Sequence, residues 1–210
     1  MTTTLETKTI AERFDHLLAL IKSERFLKKQ GLGNEVPFFI VPFPVEESVQ
    51  WNELGKKLIK QLGQNGVAVL KVNLFDLCIE LLKERGIWDK TLEIEESTTK
   101  ADLKEHLQGV VDSREYLVPA IAKKMRESEN FDVLFLTGVG EVFPYIRSHN
   151  VLNNLQSTAQ EKPTVIFFLE LTPIRPKAVH HSTCSDACMM TSITELSIFF
   201  LVKSKSRGST

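Results

Sequence analysis

Cysteine is scarce in this chain of 210 residues, which contains only three. Three thiols are too few for the disulfide framework on which small secreted domains depend, so we expect no such framework. Long apolar runs are also missing, since no stretch approaches the roughly 20 residues that cross a bilayer. The first residues, Met1 to Thr4, lack the charged and then apolar pattern of an export signal. We therefore expect a cytoplasmic protein.

The chain also lacks a clear excess of positive or negative charge. The chain contains 26 Lys and Arg residues against 27 Asp and Glu residues, which gives a formal net charge of -1. Proteins that attract nucleic acid have basic surfaces, so this balance argues against direct nucleic-acid binding, although a local basic face is compatible with it. The 42% hydrophobic content suffices for one well-buried core, and we expect a single domain.

Apolar residues recur with the spacings of alternating helices and strands. A first helix is predicted to begin near Ile10, where Thr9 and Glu12 form a capping box. Amphipathic helices are predicted after each of the first two strands. Pro42 and Pro44 are expected to end the first strand. Short runs of strand-forming residues predict four strands, over residues 36–41, 67–72, 131–136 and 164–168.

Two further helical regions complete the pattern. A charged segment at about 90–127 predicts an excursion of two helices between the second and third strands. The turn at 137–141 is predicted to lead into a helix that contains Ile146, Leu152 and Leu155. Continuous apolar strands that alternate with amphipathic helices indicate a sheet covered on both faces. We therefore predict an α/β fold with a mainly parallel sheet of about four strands, flanked by helices on both faces in a Rossmann-like three-layer arrangement.

The turn that contains Gly138 and Gly140 lies where a strand is predicted to meet a helix. Open α/β sheets bind ligands at such places, and helix amides there can hold an anion. Glu141, Arg147 and His149 follow closely and can meet a charged group. We take these five residues as a candidate ligand or partner site. The alternatives are a tight structural turn and a solvated helix face.

Motifs for catalysis and cofactor binding are incomplete. A dinucleotide fingerprint needs a third glycine where Phe143 stands, and a P-loop needs a Gly-Lys-Ser/Thr sequence that the chain lacks. No spacing of serine, cysteine and histidine suggests an activated nucleophile. We therefore expect no cofactor and a non-enzymatic role. The alternative is a nucleotide-handling or nuclease-like enzyme that uses the strand, turn and helix around Gly138.

Several segments match the pattern of a known family. They are Glu12–Phe14, Ser23–Leu27, Gly31–Gly33, Val36–Ile40, Asn73–Leu77, Leu81–Gly86, Phe135–Pro144, Ile146–His149 and Leu152–Gln156. Through these segments the chain resembles the BrxB family, a component of the BREX phage-defence systems. The resemblance implies a role in defence against bacteriophage, as one subunit beside an alkaline-phosphatase-like protein, a large ATPase and a methyltransferase. It supplies no catalytic residues. Because the chain lacks a nucleotide loop, a metal set and a nucleophile, we expect it to act as a non-enzymatic adaptor or regulatory subunit.

The last part of the chain departs from this resemblance. BrxB-like chains continue with Phe-Phe-Pro-Gly and end with Asp-Asp-Lys-Tyr-Tyr-Arg-Ala-Phe-Asn-Ile, whereas this chain continues Phe-Phe-Leu-Glu from Phe167. If the third base of each codon is joined to the first two bases of the next codon, Met189-Met190 and Met190-Thr191 each encode aspartate. This result is fixed because methionine has a single codon. The pairs from Thr191 to Phe199 permit the remaining eight residues in order. We therefore expect a domain over 1–168 and an out-of-frame, poorly packed tail over 169–210.

The same change of frame bears on an apparent metal site. His180, His181, Cys184 and Cys188 have the close spacing of zinc ligands. Because they lie in the tail, we interpret the cluster as an accident of translation and expect no metal there.

A single-base deletion near the codon of Phe168 accounts for the tail, and the DNA sequence tests this hypothesis. Restoring one base there is expected to recover the family ending, and the hypothesis is wrong if no single insertion does so. The restored chain should also melt at a higher temperature, because the lost segment resembles a final strand that would cover a sheet edge. Equal melting temperatures would contradict this second expectation.

Overall fold

The computed structural model describes residues 9–29, 38–128, 130–143, 145–156, 158–159 and 161–170. Two predicted features lie outside these ranges. The first is the start of the first predicted strand, at Val36 and Pro37. The second is most of the predicted tail, residues 171–210, together with its histidine and cysteine cluster.

Helices and strands alternate along the described residues. The helices are α1 (Ile10–Ile21), α2 (Glu24–Leu27), α3 (Ser48–Gln64), α4 (Leu74–Glu84), α5 (Trp88–Ser97), α6 (Lys100–Val110), α7 (Val118–Glu127) and α8 (Ser148–Leu155). The strands are β1 (Phe38–Pro44), β2 (Val69–Asn73), β3 (Val133–Thr137) and β4 (Thr164–Glu170). None of the described helices is both long enough and apolar enough to cross a bilayer.

The four strands form one parallel sheet in the order β1-β4-β3-β2. The prediction of a mainly parallel four-stranded sheet is therefore confirmed. Helix α3 connects the two edge strands, β1 and β2, and the chain then returns strand by strand to β3 and β4. Helix α3 packs on one face of the sheet, and α4, α7 and α8 pack on the other. The chain reverses its direction across the sheet after β2, so this change of face gives all crossovers the same hand, as the rule of right-handed crossovers requires.

Both faces of the sheet are covered, as predicted. Successive residues of a strand point to opposite faces, so each strand supplies two cores. Val133 and Phe135 of β3 pack with α1, α2 and α3 on one side, which we call the α3 face. Leu134 and Leu136 pack with α4, α7 and α8 on the other, the α4 face. All four side chains are almost completely buried, which explains why the strand reads as one continuous apolar run.

Strand β1 continues through Pro42 and Pro44, so the prediction that these prolines end it is wrong. The reason is its position at the edge of the sheet, where one side of the strand has no partner among the described strands. Residues two apart turn their backbone nitrogens to the same side, so both prolines can face away from β4 without loss of a ladder hydrogen bond. At its far end β4 also runs on, to Glu170, and Leu169 and Glu170 pair with Phe43 and Pro44.

The predicted excursion of two helices contains more elements than expected. Between β2 and β3 the structure has, after α4, the helices α5, α6 and α7 and a π-helical turn at Ser113–Leu117. Thr98 is extended and Thr99 caps α6 by accepting from the Asp102 amide, which divides the charged segment. Asp112 caps the π-helical turn in the same way. Apolar residues are sparse in this segment, so their spacing did not reveal these breaks.

Helix α1 begins with the predicted capping box of Thr9 and Glu12 and is fixed to the rest of the fold by Arg13. The Arg13 Nη2 atom donates to Glu47 Oε2, and Trp51 Nε1 donates to the same oxygen at 3.1 Å. The guanidinium also lies 5.6 Å from the centroid of the Trp51 ring. The side chains of Arg13 and Glu47 are only 18% and 28% exposed, so solvent screens this pair weakly.

Replacing Glu47 with Ala is expected to lower the free energy of unfolding by about 1–3 kcal/mol, because two partly buried donors lose their acceptor. The matched control is Glu53→Ala, which breaks an exposed pair with Lys56 that contributes about 0–1 kcal/mol. Urea unfolding followed by circular dichroism measures both variants. Equal losses would mean that the Glu47 cluster contributes no more than a surface ion pair.

Candidate functional site

A cleft of about 210 Å³ lies on the α3 face, at the carboxyl ends of the strands. Helix α3 forms one wall, and the strands with the turn after β3 form the other. The lining residues are Phe43, Ser48, Trp51, Asn52, Gly55, Ile59, Lys71, Phe135, Thr137, Gly138, Val139, Gly140, Glu141, Phe167 and Leu169. All four strands contribute, so the position of the cleft follows directly from the parallel topology.

Four aromatic rings line the cleft in a connected series. Phe43, Phe135 and Phe167 come from β1, β3 and β4, and Trp51 comes from α3. The ring centroids of Phe135 and Phe167 lie 5.2 Å apart with an edge-to-face inclination of 61°. Trp51 lies 6.3 Å from Phe167 and 5.9 Å from Phe43. Rings at these distances and inclinations attract one another, so the series helps α3 to pack on the sheet.

Five polar side chains line the cleft beside the aromatic rings, and two of them, Ser48 and Asn52, come from α3. Lys71 of β2 is the cation among the lining residues, and Glu141 is the carboxylate. Thr137 is at the end of β3, and its Oγ1 atom is buried without a hydrogen-bond partner among the described residues. On α3, one turn after Trp51, a Cβ atom added at Gly55 would have no atom within 4 Å. The space beside Gly55 is therefore open.

The turn after β3 depends on close backbone contacts at two glycines. Gly138 has φ +72°, and a Cβ there would collide with Asn73 Oδ1 and come within 2.9 Å of Asn73 Cγ. Asn73 caps α4 by accepting from the amides of Phe75 and Asp76, at 2.8 and 3.2 Å. A Cβ at Gly140 would lie 2.7 Å from Leu169 Cβ. Both glycines therefore let the turn approach neighbouring strands.

The structure places three of the five predicted site residues, Gly138, Gly140 and Glu141, in the lining of the cleft. Arg147 and His149 are exposed at the start of α8 and are not among the lining residues. Helix α8 packs on the α4 face, whereas the cleft is on the α3 face. The cleft therefore contains three of the five residues.

The turn does not lead directly into a helix, and the prediction that Ile146 belongs to that helix is wrong. Helix α8 begins at Ser148, and the segment before it is a series of turns. Val139, Val142 and Ile146 are buried in the core of the α4 face, which holds this segment against the sheet. The amides of a helix N-terminus are therefore not at Gly138, where the sequence pattern placed them.

Several lining residues were not recognised from the sequence. Phe43 is near the end of β1, and Phe135 and Phe167 are the central residues of β3 and β4, so the only available signal was an aromatic residue in each of three strands. Trp51, Asn52 and Gly55 could not be assigned to the cleft without knowing that α3 packs on this side of the sheet. Their contribution depends on tertiary packing.

Other chemistry among the described residues is limited. Cys78 of α4 is buried on the α4 face, and burial raises the pKa of its thiol to about 12. The thiol therefore stays protonated at neutral pH. Within the described ranges, no group of three or more His, Cys, Asp and Glu residues is arranged to hold a metal ion.

Fold and cleft together define an open parallel α/β domain with an aromatic cleft at the carboxyl ends of its strands. Residues 70–169, from β2 into β4, match the family described as BREX protein BrxB. A BREX protein BrxB from Bacillus cereus (strain H3081.97) is 29% identical over 170 residues, covering 77% of this chain and 84% of the relative.

A second BREX protein BrxB, from Escherichia coli O9:H4 (strain HS), is 30% identical over 156 residues, covering 74% of this chain and 76% of the relative. No solved structure matches the chain. The chain belongs to the BrxB family, as the resemblance of its sequence segments predicted.

Gly138→Ala is expected to destabilise the fold more than Gly66→Ala. Both glycines have positive φ, +72° and +79°, so both substitutions introduce backbone strain of about 1–2 kcal/mol. Only Gly138 adjoins another side chain, because no atom lies within 4 Å of a Cβ at Gly66. Displacing Asn73 and its cap should add about 1 kcal/mol or more. Urea unfolding measures the difference, and equal losses would contradict the close contact.

Proposed function

We propose that this chain is a non-enzymatic adaptor or regulatory subunit of a BREX-type phage-defence complex. Membership of the BrxB family supports involvement in phage defence together with other BREX proteins. The observation that supports an adaptor role is the distribution of exposed apolar side chains at one edge of the sheet.

Four large apolar side chains are exposed at the carboxyl edge of the sheet. Val45 and Val49 follow β1, Phe75 follows β2, and Phe143 follows β3. Parallel strands end at the same edge, so we call these four residues the apolar edge. Exposed apolar groups of this kind mark surfaces that bind other proteins, because burying them removes apolar area from water. The apolar edge therefore supports a role in binding a partner.

We propose three kinds of partner for this surface: the alkaline-phosphatase-like protein, the large ATPase and the methyltransferase. The resemblance to BrxB implies all three. Co-expression of the chain with each of them separately, followed by gel filtration, identifies the partner that binds directly. A direct partner co-elutes alone, whereas an indirect partner co-elutes only when a third protein is present.

The alternative function is a nucleotide-handling or nuclease-like enzyme. It is favoured by the position of Gly138, Gly140 and Glu141 in a cleft at the carboxyl ends of parallel strands. It is weakened by the start of α8 at Ser148, which leaves no helix N-terminus at the turn for a phosphate group. Isothermal titration with nucleotides separates the two functions. Saturable nucleotide binding with measurable turnover would favour the enzyme, and Gly55→Leu, which narrows the cleft, should then abolish both.

We also propose that residues 169–210 are out of frame. The family match ends at residue 169, close to the proposed deletion near Phe168, and this supports the proposal. Leu169 and Glu170 nevertheless extend β4, because pairing to β1 depends mainly on backbone groups. An adaptor role is compatible with this ending, since the apolar edge is built from residues before it.

Phe143→Ser is expected to raise the Kd for the direct BREX partner at least tenfold, because it removes an aromatic side chain from the apolar edge. Leu92→Ser is the matched control. Leu92 of α5 is exposed to a similar extent, 41% against 50% for Phe143, but is not on the apolar edge. Binding is measured by surface plasmon resonance with the purified partner. Equal effects of the two substitutions would contradict the proposed surface.

A further inference from the structure

We propose that the cleft receives one aromatic side chain of the partner protein, presented on a segment that also contains basic residues. This proposal rests on the adaptor function and specifies what the partner must supply. Three properties of the cleft support it: its size, the chemistry of its wall, and the charges around its opening.

The size of the cleft favours a single ring system. Its volume is about 210 Å³. Sites for drug-sized ligands usually enclose about 300–1,000 Å³, so a complete nucleotide would extend beyond this cleft. One phenylalanine, tyrosine or tryptophan side chain fits the available space. Such anchors, set in a pocket of the other protein, provide much of the affinity at protein interfaces.

The wall of the cleft matches the surface of an aromatic ring. Trp51, Phe135 and Phe167 line the cleft from within the core and are only 1–6% exposed, whereas the half-buried Phe43 offers ring surface that an incoming ring can meet in a tilted or edge-to-face manner. Lys71 supplies a cation that can lie against the face of the incoming ring. The open space beside Gly55 leaves room for entry.

The charges around the opening favour a basic partner segment. Glu46, Asp76 and Glu141 are exposed at the carboxyl edge, after β1, β2 and β3 respectively, and they outnumber the exposed cations Arg147, before α8, and Lys71, in the cleft. None of the three carboxylates forms an ion pair with another described residue. Lysine or arginine side chains beside the aromatic anchor would meet these carboxylates. Association should therefore be faster at low salt, because screening weakens such attraction.

The apolar edge continues the cleft outward, which favours a protein over a free small molecule. Val49 lies on α3 between the lining residues Ser48 and Trp51, and Phe143 follows Glu141 in the same turn. A metabolite held within the cleft would leave these side chains in water. A protein segment anchored in the cleft would cover them, since interfaces surround their anchors with further contacts that exclude water.

Substitution of Gly55 tests the proposal, with Gly63 as a matched control. Both glycines belong to α3, and neither has an atom within 4 Å of an added Cβ, but only Gly55 lines the cleft. Leucine is a better helix former than glycine, so Gly55→Leu and Gly63→Leu should both fold, as circular dichroism will verify. Gly55→Leu is expected to weaken binding of the direct BREX partner at least tenfold, and Gly63→Leu less than twofold. Equal binding by the two variants would overturn the proposal.

A probe experiment examines the cleft without a partner. N-acetyl-tryptophanamide should give saturable ligand-observed NMR signals with the full chain, retained by Gly63→Leu and lost in Gly55→Leu. Binding of adenosine monophosphate at the cleft without binding of N-acetyl-tryptophanamide would overturn the proposal and favour a nucleotide site. If the unsubstituted chain binds no BREX protein, the proposed adaptor function is wrong. The binding of N-acetyl-tryptophanamide then shows separately whether the cleft accepts an aromatic group.

Two other occupants would also contradict the proposal. If Gly55→Leu increases hydrogen exchange in residues 171–210, the chain's own last segment fills the cleft. If Gly55→Leu converts a dimer into a monomer in light scattering, a second copy of the chain fills it. Gly63→Leu should change neither measurement.

Discussion

The fold depends on covering both faces of β3 and β4, the two central strands. Their side chains alternate between the α3 face and the α4 face, and the first four residues of each strand are at most 6% exposed. A parallel sheet of this kind is stable only when helices remove both faces from water. The connection through α3 and the return through α4, α7 and α8 provide these two layers. The cleft exists because α3 covers the strands without filling the space beside Gly55.

Most of the fold could be predicted from the sequence because apolar spacing reports burial. The helix that begins at Ile10 and the apolar run within 131–136 were recognised from these patterns, and the structure confirms them. Pro42 and Pro44 misled the prediction, since the tolerance of proline depends on whether a strand lies at an edge. That position follows from strand order, which local sequence does not encode. The charged segment before β3 was resolved poorly for a different reason: apolar residues are sparse there, and the caps at Thr99 and Asp112, which mark its breaks, were not considered.

The site was predicted in part. Gly138, Gly140 and Glu141 were found because glycines after a strand indicate a turn at the carboxyl edge, a rule of topology that holds without knowing the neighbours. Arg147 and His149 were grouped with them by distance along the chain, but the buried Val142 and Ile146 hold the intervening segment on the other face. The aromatic wall was missed because its four rings come from separate elements that meet only in the folded chain.

The position of β4 has a consequence for the order of folding during synthesis. This strand leaves the ribosome after β1, β2 and β3, yet it lies between β1 and β3 in the finished sheet. Strand β1 therefore has no neighbouring strand until β4 has been synthesised, because Phe38 pairs with Thr164. Until then β1 is separate from the pair formed by β2 and β3. Pairing across so long an interval of chain is slow, and it leaves apolar strands accessible to chaperones and proteases while translation continues.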